Sequence, residues 1–408
     1  MGKSLAGRGG FEPPLADPES AVLPLDDLPI VPMYILSLVK DYVNNGGLTM
    51  ESKKDDRENV YYIPAFYWKN YNAFAKSKMD IEETFKRRNF QAIEFFKDSR
   101  NGAVRLISLK KLFHLLFLED KTIYENSIVF FQSGSGVDLI ISPAIKRIFR
   151  NSKRVIMIHD VESLRFGKIN VPRERMVFSN FTHAICASDA MAEFLKKSLG
   201  FKGKIYTYGL LDYLIEDEKY DSLSKTIDFP SLQEKFKVIY AGNLSSWKAP
   251  FIYKFVQKMN PTKFVINLYG KGYHGPTKDD VLEFKGAFPP NELPGKLDGH
   301  FGLVWDGKDI SKPSGNTGKY LHYNSPHKAS LYIVSGLPLI VWKGSAIYKL
   351  VEQYNIGFGI DSLLELDERL KGITQEQYAT WRANIPNLAK QLANGQSLGR
   401  VIDQILSE

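Results

Sequence analysis

Apolar residues along this chain fall into short runs of strand length, separated by polar loops and amphipathic stretches. The clearest series lies between Phe301 and Ile360. Phe301-Gly302-Leu303-Val304-Trp305 is a compact apolar run, and a long loop rich in Gly, Ser, Lys and Asn follows over 306–319. Ser325-Pro326 then reads as the cap and first residue of a helix that stops at Gly336. A serine oxygen accepts from the free N–H groups of a first turn, proline suits a position whose N–H has no partner, and glycine takes the left-handed stop. Residues 337–342 predict a buried strand, 345–354 a second helix and 356–360 a closing strand. That alternation describes a parallel α/β sheet.

The same rhythm recurs upstream. Residues 237–241, 264–269 and 282–288 read as strands, each ending in glycine or a polar corner, and a short helix runs through Leu297. In the first half, 34–38 predicts a strand running into Asn44-Asn45-Gly46-Gly47, with a charged helical segment over 51–59. Residues 61–71 are densely aromatic (Tyr61, Tyr62, Phe66, Tyr67, Trp68, Tyr71), which suits core packing or an acceptor-binding wall. Further strands are expected at 127–131, 154–159 and 183–186, with a helix through Ile145 and another opened by Ser188-Asp189 and closed by Gly200. Regularity falls off between 206 and 237, and 373–408 reads as mostly helical. Two βαβ series around a break predict an α/β chain of two Rossmann-like domains facing a cleft. The expected division is an arm, misplaced start or artificial leader at 1–32, a first domain at 33–208, a linker at 209–235 and a second domain at 236–385.

Charge adds a partner class. Over 408 residues, 54 Lys and Arg stand against 46 Asp and Glu, a net +8, which favours an anionic partner: a nucleotide-type substrate, an anionic membrane surface or nucleic acid. Lysines and aromatics are spread through both halves with no recognition motif, which argues against nucleic acid. A lone cysteine, Cys186, cannot form an internal disulfide and points to a reducing, cytoplasmic setting. No apolar run reaches the roughly 18–20 residues that span a bilayer, and the N-terminus lacks the apolar core of a signal peptide. Residues 109–118 mix lysines with bulky apolar side chains, as a buried amphipathic helix or a segment dipping into a membrane interface would.

Candidate chemistry gathers where strands end. The helix expected at Pro326 offers N–H groups and a positive dipole end, flanked by Lys319 and Lys328, with Tyr320, Tyr323, Asn324 and Ser325 as neutral hydrogen-bonding groups. Such a cup suits a diphosphate held without a metal; a plain capped loop is the simpler alternative. Asn243 and Lys248 form a second anion-friendly corner, Gly270 ends the next strand, and Gly46-Gly47 is either a ligand-approach turn or a tight turn. In the first half, His159, Asp160, Glu162 and Arg165 follow a strand at the end that faces the ligand crevice of open α/β sheets. A carboxylate there is placed to act as general base, or the group caps the next helix.

The order Tyr240-Ala241-Gly242-Asn243, Tyr269-Gly270, Phe284-x-Gly286-x-Phe288 and Phe301-Gly302-Leu303-Val304-Trp305 resembles the donor half of GT-B glycosyltransferases. The continuation Tyr323-Asn324-Ser325-Pro326-x-Lys328-x-Ser330-x-Tyr332, then Gly336-x-Pro338-x-Ile340-Val341, resembles bacterial galactofuranosyltransferases and the related streptococcal glucosyltransferase that extends sugars on serine-rich adhesins. The resemblance spans about 236–365. It implies a UDP-sugar in the second domain, with Gly286 and Phe288 near the base and Asn243, Lys248, Tyr323, Asn324 and Lys328 around the diphosphate. It also implies a terminal helix, 386–408, packing back on the first domain. The expected activity moves a sugar, galactofuranose first, onto a saccharide acceptor, plausibly lipid-linked and met at the inner membrane surface in cell-surface polysaccharide synthesis. No Asp-x-Asp triplet occurs in the chain, so no metal is expected; a GT-B site uses Lys, Tyr and a helix N-terminus instead. The Glu-x7-Glu motif of retaining relatives is missing near Lys328, which favours inversion with Asp160 or Glu162 as base. A glucosyltransferase for glycoprotein glycans, a non-catalytic GT-B subunit and a UDP-sugar epimerase are the alternatives.

Overall fold

The computed structural model describes residues 59–65, 73–98, 105–134, 137–216, 228–276 and 280–408, and Arg57–Glu408 form one compact unit. The expected strand at 34–38, the arm at 1–32, Gly46, Gly47 and the aromatics Phe66, Tyr67, Trp68 and Tyr71 lie outside the described residues.

Two six-stranded parallel sheets make up the rest. The first contains β1 (Val60–Ile63), β2 (Gln91–Ala92), β5 (Ile128–Gln132), β6 (Lys153–Met157), β7 (His183–Cys186) and β8 (Lys204–Thr207), in the order β2-β1-β5-β6-β7-β8. A small antiparallel ribbon, β3 (Phe96–Asp98) with β4 (Arg105–Ile107), stands apart from it. The second sheet runs β11-β10-β9-β12-β13-β14, from β9 (Phe236–Ala241), β10 (Phe264–Tyr269), β11 (Leu282–Gly286), β12 (Phe301–Val304), β13 (Leu339–Trp342) and β14 (Gly357–Ile360). Helices cover both faces, so central strands such as Ile-Val-Phe-Phe-Gln of β5 are buried at every position.

Helices α1 (Ala73–Arg87), α2 (Leu109–Phe113), α3 (Asp138–Ile148), α4 (Glu162–Phe166), α5 (Val171–Phe178) and α6 (Asp189–Lys197) belong to the first domain. The second has α7 (Pro250–Lys258), α8 (Gly315–Tyr320), α9 (His327–Val334), α10 (Tyr348–Tyr354) and α11 (Gln375–Ala393). Three expectations change here. The aromatic run contains a strand, β1, whose Tyr61 and Tyr62 are buried in the first core. The expected polar loop at 306–319 is helical from Gly315 onward, as α8. Helix α9 starts at His327, with Pro326 extended at the cap position; Ser325 therefore lies one residue outside the cap and its hydroxyl does not close the first turn.

The last helix, α12 (Gln396–Leu406), crosses back. Its Leu398, Val401, Ile402 and Ile405, at helical spacing, insert into the first-domain core. The crossing falls later than the expected 386, because Ile385, Leu388, Ala389, Leu392 and Ala393 of α11 still pack in the second domain. Arg88, just after α1, grips α12 by a bidentate pair with Asp403 (2.5 and 3.1 Å) and a bond to the Gly399 carbonyl (3.1 Å). The connection between the domains is strapped from both sides. Asp212 accepts from the Ser397 and Leu398 N–H groups at 2.9 and 2.8 Å, capping α12. Asp80 of α1 accepts from Leu214 N–H at 3.0 Å, and Lys76 donates to the Leu214 carbonyl at 2.8 Å. Burial pushes the Asp212 carboxyl up to about 7 and that of Asp80 up to about 6.

Candidate active site

In the second domain, neighbouring strands β9, β10 and β11 end in Gly242, Gly270 and Gly286, all at positive φ. Gly242 N–H donates to Tyr269 O and Gly270 N–H to Gly286 O, each at 2.9 Å. A Cβ at Gly270 would stand 1.7 Å from Gly242 O, so only glycine allows this approach. Gly286 instead needs its φ of +92° and faces open space. The strand ends thus form a bare backbone ledge. Asn243 folds its own corner, its Oδ1 accepting from Ser245 N–H at 3.0 Å and Ser245 Oγ at 2.6 Å. Lys248 lies beside Trp247, 6.0 Å from its ring centroid, and Phe288 packs 6.3 Å from Tyr269.

The charged element of this edge joins three strands' worth of sequence. Lys328 Nζ donates to Tyr240 Oη (3.2 Å), the Trp305 carbonyl (3.3 Å) and Asp306 Oδ2 (3.1 Å). It also sits 4.3 Å above the Tyr240 ring centroid. Tyr240 donates its hydroxyl proton to Asp306 Oδ1 at 3.1 Å, and burial first, then Asp306, keeps that phenol protonated. The Lys328 and Asp306 side chains are only 13 % and 17 % exposed, so the pair is far better shielded than a surface salt bridge. Next to it, at the start of α9, Ser325 Oγ is buried with no hydrogen-bond partner. Tyr240 and Asp306 are site residues the sequence reading passed over; their pairing with Lys328 exists only in three dimensions.

The first-domain edge carries its own cluster. His159 Nε2 lies 2.9 Å from Gln132 Oε1, and Gln132 Nε2 donates to the Lys78 carbonyl at 3.2 Å. A carbonyl only accepts, so the Gln132 amide must turn its oxygen to the imidazole. His159 Nε2 therefore carries the proton, and Nδ1 is the basic nitrogen. Burial, reinforced by Lys78 and His327, holds the imidazolium form well out of reach near neutrality. Lys78 is itself fully buried, 3.5 Å from the Gly134 carbonyl. Burial pushes its ammonium down to about 8 despite Asp138, Asp160 and Glu82. Asp160 is paired to Arg165 at 2.5 Å and Glu162 to Arg173 at 3.1 Å. Glu162 thus points along α4 toward α5, whereas Asp160 shares its surroundings with Lys78 and Tyr320.

The two edges meet through α8 and the turn after it. Tyr320 Oη accepts from Val161 N–H at 3.0 Å, and Arg165 lies over its ring at 5.7 Å. Ser188 donates to the Tyr323 carbonyl at 2.6 Å, and the Tyr323 ring packs on Phe194. Tyr320 and Tyr323 therefore join the domains, whereas sequence proximity had placed them around the anion cup. Asn324 is half-buried between them and Ser325, and Lys319 is exposed. Among the described residues, no group of three His, Cys, Asp or Glu is gathered that could hold a metal. A polar groove lined by Thr84, Arg87, Arg88, Gly395, Arg400 and Asp403 contains none of these candidate residues.

Two parallel-sheet domains whose C-terminal strand ends meet, spanned by a returning terminal helix, define the GT-B fold. Residues 60–210 match the N-terminal domain model, and 238–405 the C-terminal domain model, of the glucosyltransferase 3-like family; the chain belongs to that family. It is 28% identical to the beta-1,6-galactofuranosyltransferase WbbI of Escherichia coli K12 over 62% of this chain and 71% of that one. It is 23% identical to glucosyltransferase 3 of Streptococcus parasanguinis over 62% and 69%. Among solved structures, Anabaena Alr3699/HepE in complex with UDP and glucose superimposes with a TM-score of 0.52 at 16% identity, covering 86% of this chain and all of that one. Membership of a transferase family replaces the epimerase and non-catalytic readings.

Proposed function

We propose that this enzyme transfers galactofuranose from its UDP-linked donor to a hydroxyl of a saccharide acceptor, without a metal and with inversion, in cell-surface polysaccharide synthesis. The acceptor is lipid-linked and met at the inner face of the cell membrane. The choice of sugar follows the better-matched of the two relatives described above, with glucose as the alternative donor.

The observation that carries the reading is the conjunction at the start of α9. A buried, unpartnered Ser325 hydroxyl, a helix N-terminus and the shielded Lys328 lie beside a glycine ledge that gives a nucleotide close access to backbone. N–H groups, a hydroxyl and an ammonium are the donors a departing diphosphate needs. As the acceptor oxygen attacks the anomeric carbon, the bond to the UDP oxygen breaks. The charge then develops where those donors point. Asp160, at the facing strand end, takes the acceptor proton. His159 Nδ1, the unprotonated ring nitrogen of its tautomer, is the second candidate, against the cost that burial sets on its imidazolium.

Turnover is measured as UDP release from UDP-galactofuranose and UDP-glucose with a soluble acceptor. Loss of the base lowers kcat by about 10²–10⁴-fold. Asp160→Asn is expected to show it; if His159→Gln shows it and Asp160→Asn does not, the imidazole is the base. Full turnover in both variants would overturn the assignment.

A further inference from the structure

Exposed apolar side chains are unevenly distributed. Of eleven large hydrophobic residues left exposed among the described residues, eight belong to the first domain. Six of these lie on elements that touch one another: Phe117 and Leu118 on the π-helical turn after α2, Ile140 on α3, Met176 on α5, Ile169 on the turn Lys168–Asn170, and Phe166 at the end of α4. The π turn packs on α3, α3 on α5, and α5 on Lys168–Asn170. On α3, Ile140 and Arg147 share the outward face, opposite buried Ile141, Ala144, Ile145 and Ile148. Arg147 lies over the Phe117 ring at 4.9 Å, joining helix and turn.

Cations are interleaved with this apolar surface. Lys110, Lys111, Lys146, Arg147, Arg150 and Lys168 are exposed. Between residues 109 and 175, Lys and Arg outnumber Asp and Glu by 12 to 7. Exposed aromatic and aliphatic side chains rimmed by lysine and arginine fit a layer that is apolar below and anionic at its surface. Among the described residues, no helix is long and apolar enough to cross a membrane, so contact of this kind is interfacial.

We infer that this face docks on an anionic phospholipid bilayer, seating Phe117, Leu118, Ile140, Ile169 and Met176 at the headgroup boundary and the lysines against lipid phosphates. The patch ends at α4, whose Arg165 holds Asp160, so a bilayer on this face lies next to the rim of the candidate catalytic cluster. Delivery of a lipid-linked acceptor to that rim rests on the transferase reading; the docking does not.

The full chain is tested by co-sedimentation with phosphatidylcholine vesicles, with and without phosphatidylglycerol, in the absence of nucleotide and sugar. Sedimentation is expected only with the anionic vesicles and is expected to fall as salt rises. At about 1 kcal/mol per cation near an anionic surface, Lys111→Ala with Lys146→Ala lowers the partition coefficient about thirtyfold. Phe117→Asp with Ile140→Asp abolishes binding. UDP-induced stabilisation, measured on the same variants, stays at the wild-type value and shows that the fold and donor site survive. Vesicle binding without UDP stabilisation would support the docking and sink the transferase reading. Equal sedimentation with neutral and anionic vesicles would overturn the docking. So would loss of a dimer, in place of vesicle binding, in the Phe117→Asp, Ile140→Asp variant.

Discussion

Asp306 sets up the most informative substitution. Each of the three Lys328 N–H bonds has a protein acceptor, at 3.1–3.3 Å. A diphosphate seated on that ammonium must displace at least one of them and brings its charge close to the Asp306 carboxylate. At an effective dielectric constant of about 20, unit charges about 6 Å apart repel by about 3 kcal/mol. Ionic screening and the residual exposure of the pair reduce this to about 1–1.5 kcal/mol. Asp306→Asn keeps the shape and the Tyr240 contact while removing the charge. UDP affinity by titration calorimetry should therefore rise about tenfold, and Lys328→Met should lower it. The substitution also costs folding stability, since a largely buried ammonium loses its counter-charge, by about 1–3 kcal/mol in urea unfolding. Weaker UDP binding by Asp306→Asn would refute the reasoning and make Asp306 a group that itself contacts the ligand.

Three further outcomes follow from individual contacts. Tyr320→Phe leaves the Val161 N–H without its acceptor in the buried seam between the domains and should cost about 1–3 kcal/mol in chemical unfolding, with UDP affinity unchanged. Asp212 should make stability depend on pH. Its carboxyl is held up to about 7 by burial, against 3.8 in an unfolded chain, so the folded state binds the extra proton between those values. Its contribution to stability is therefore present in acid and is lost as pH rises from about 4 toward 7, by about 1.4 kcal/mol per pH unit. The difference between wild type and Asp212→Asn should follow that slope; a difference independent of pH would contradict it. Gly270→Ala should fail to fold or lose several kcal/mol, because the added methyl meets backbone at 1.7 Å and no side-chain rotation can relieve it; wild-type stability would show that the ledge is looser than described.

How much of this was legible along the chain depended on how local each feature is. Strands Phe264–Tyr269 and His183–Cys186 read to the residue, because a continuous apolar run bounded by polar loops is what a doubly covered parallel strand requires. Strand β1 was hidden by its aromatic surroundings, where no period stands out. Helix α8, Gly-Asn-Thr-Gly-Lys-Tyr, has no apolar repeat at all and is held by packing against α4. Lys328 is visible along the chain as a charged group near a helix start, yet its partners Tyr240 and Asp306 lie 88 and 22 residues away. Lys78 shows the same limit: on an amphipathic helix, nothing local distinguishes a fully buried lysine from a solvated one. Tyr320 and Tyr323 stand near that helix start in sequence, and only the folded chain brings them against Val161, Ser188 and Phe194 of the first domain.

We propose that the second domain holds a nucleotide diphosphate on Lys328 and the start of α9 without a metal. Melting of the purified chain with UDP, in the presence and absence of EDTA, and of Lys328→Ala, tests it most directly. At a hundred times the dissociation constant, ligand binding adds about 2.7 kcal/mol of stability. The expected result is a clear upward shift that EDTA leaves intact and that Lys328→Ala removes. No shift with UDP, a shift abolished by EDTA, or an undiminished shift in Lys328→Ala would contradict it.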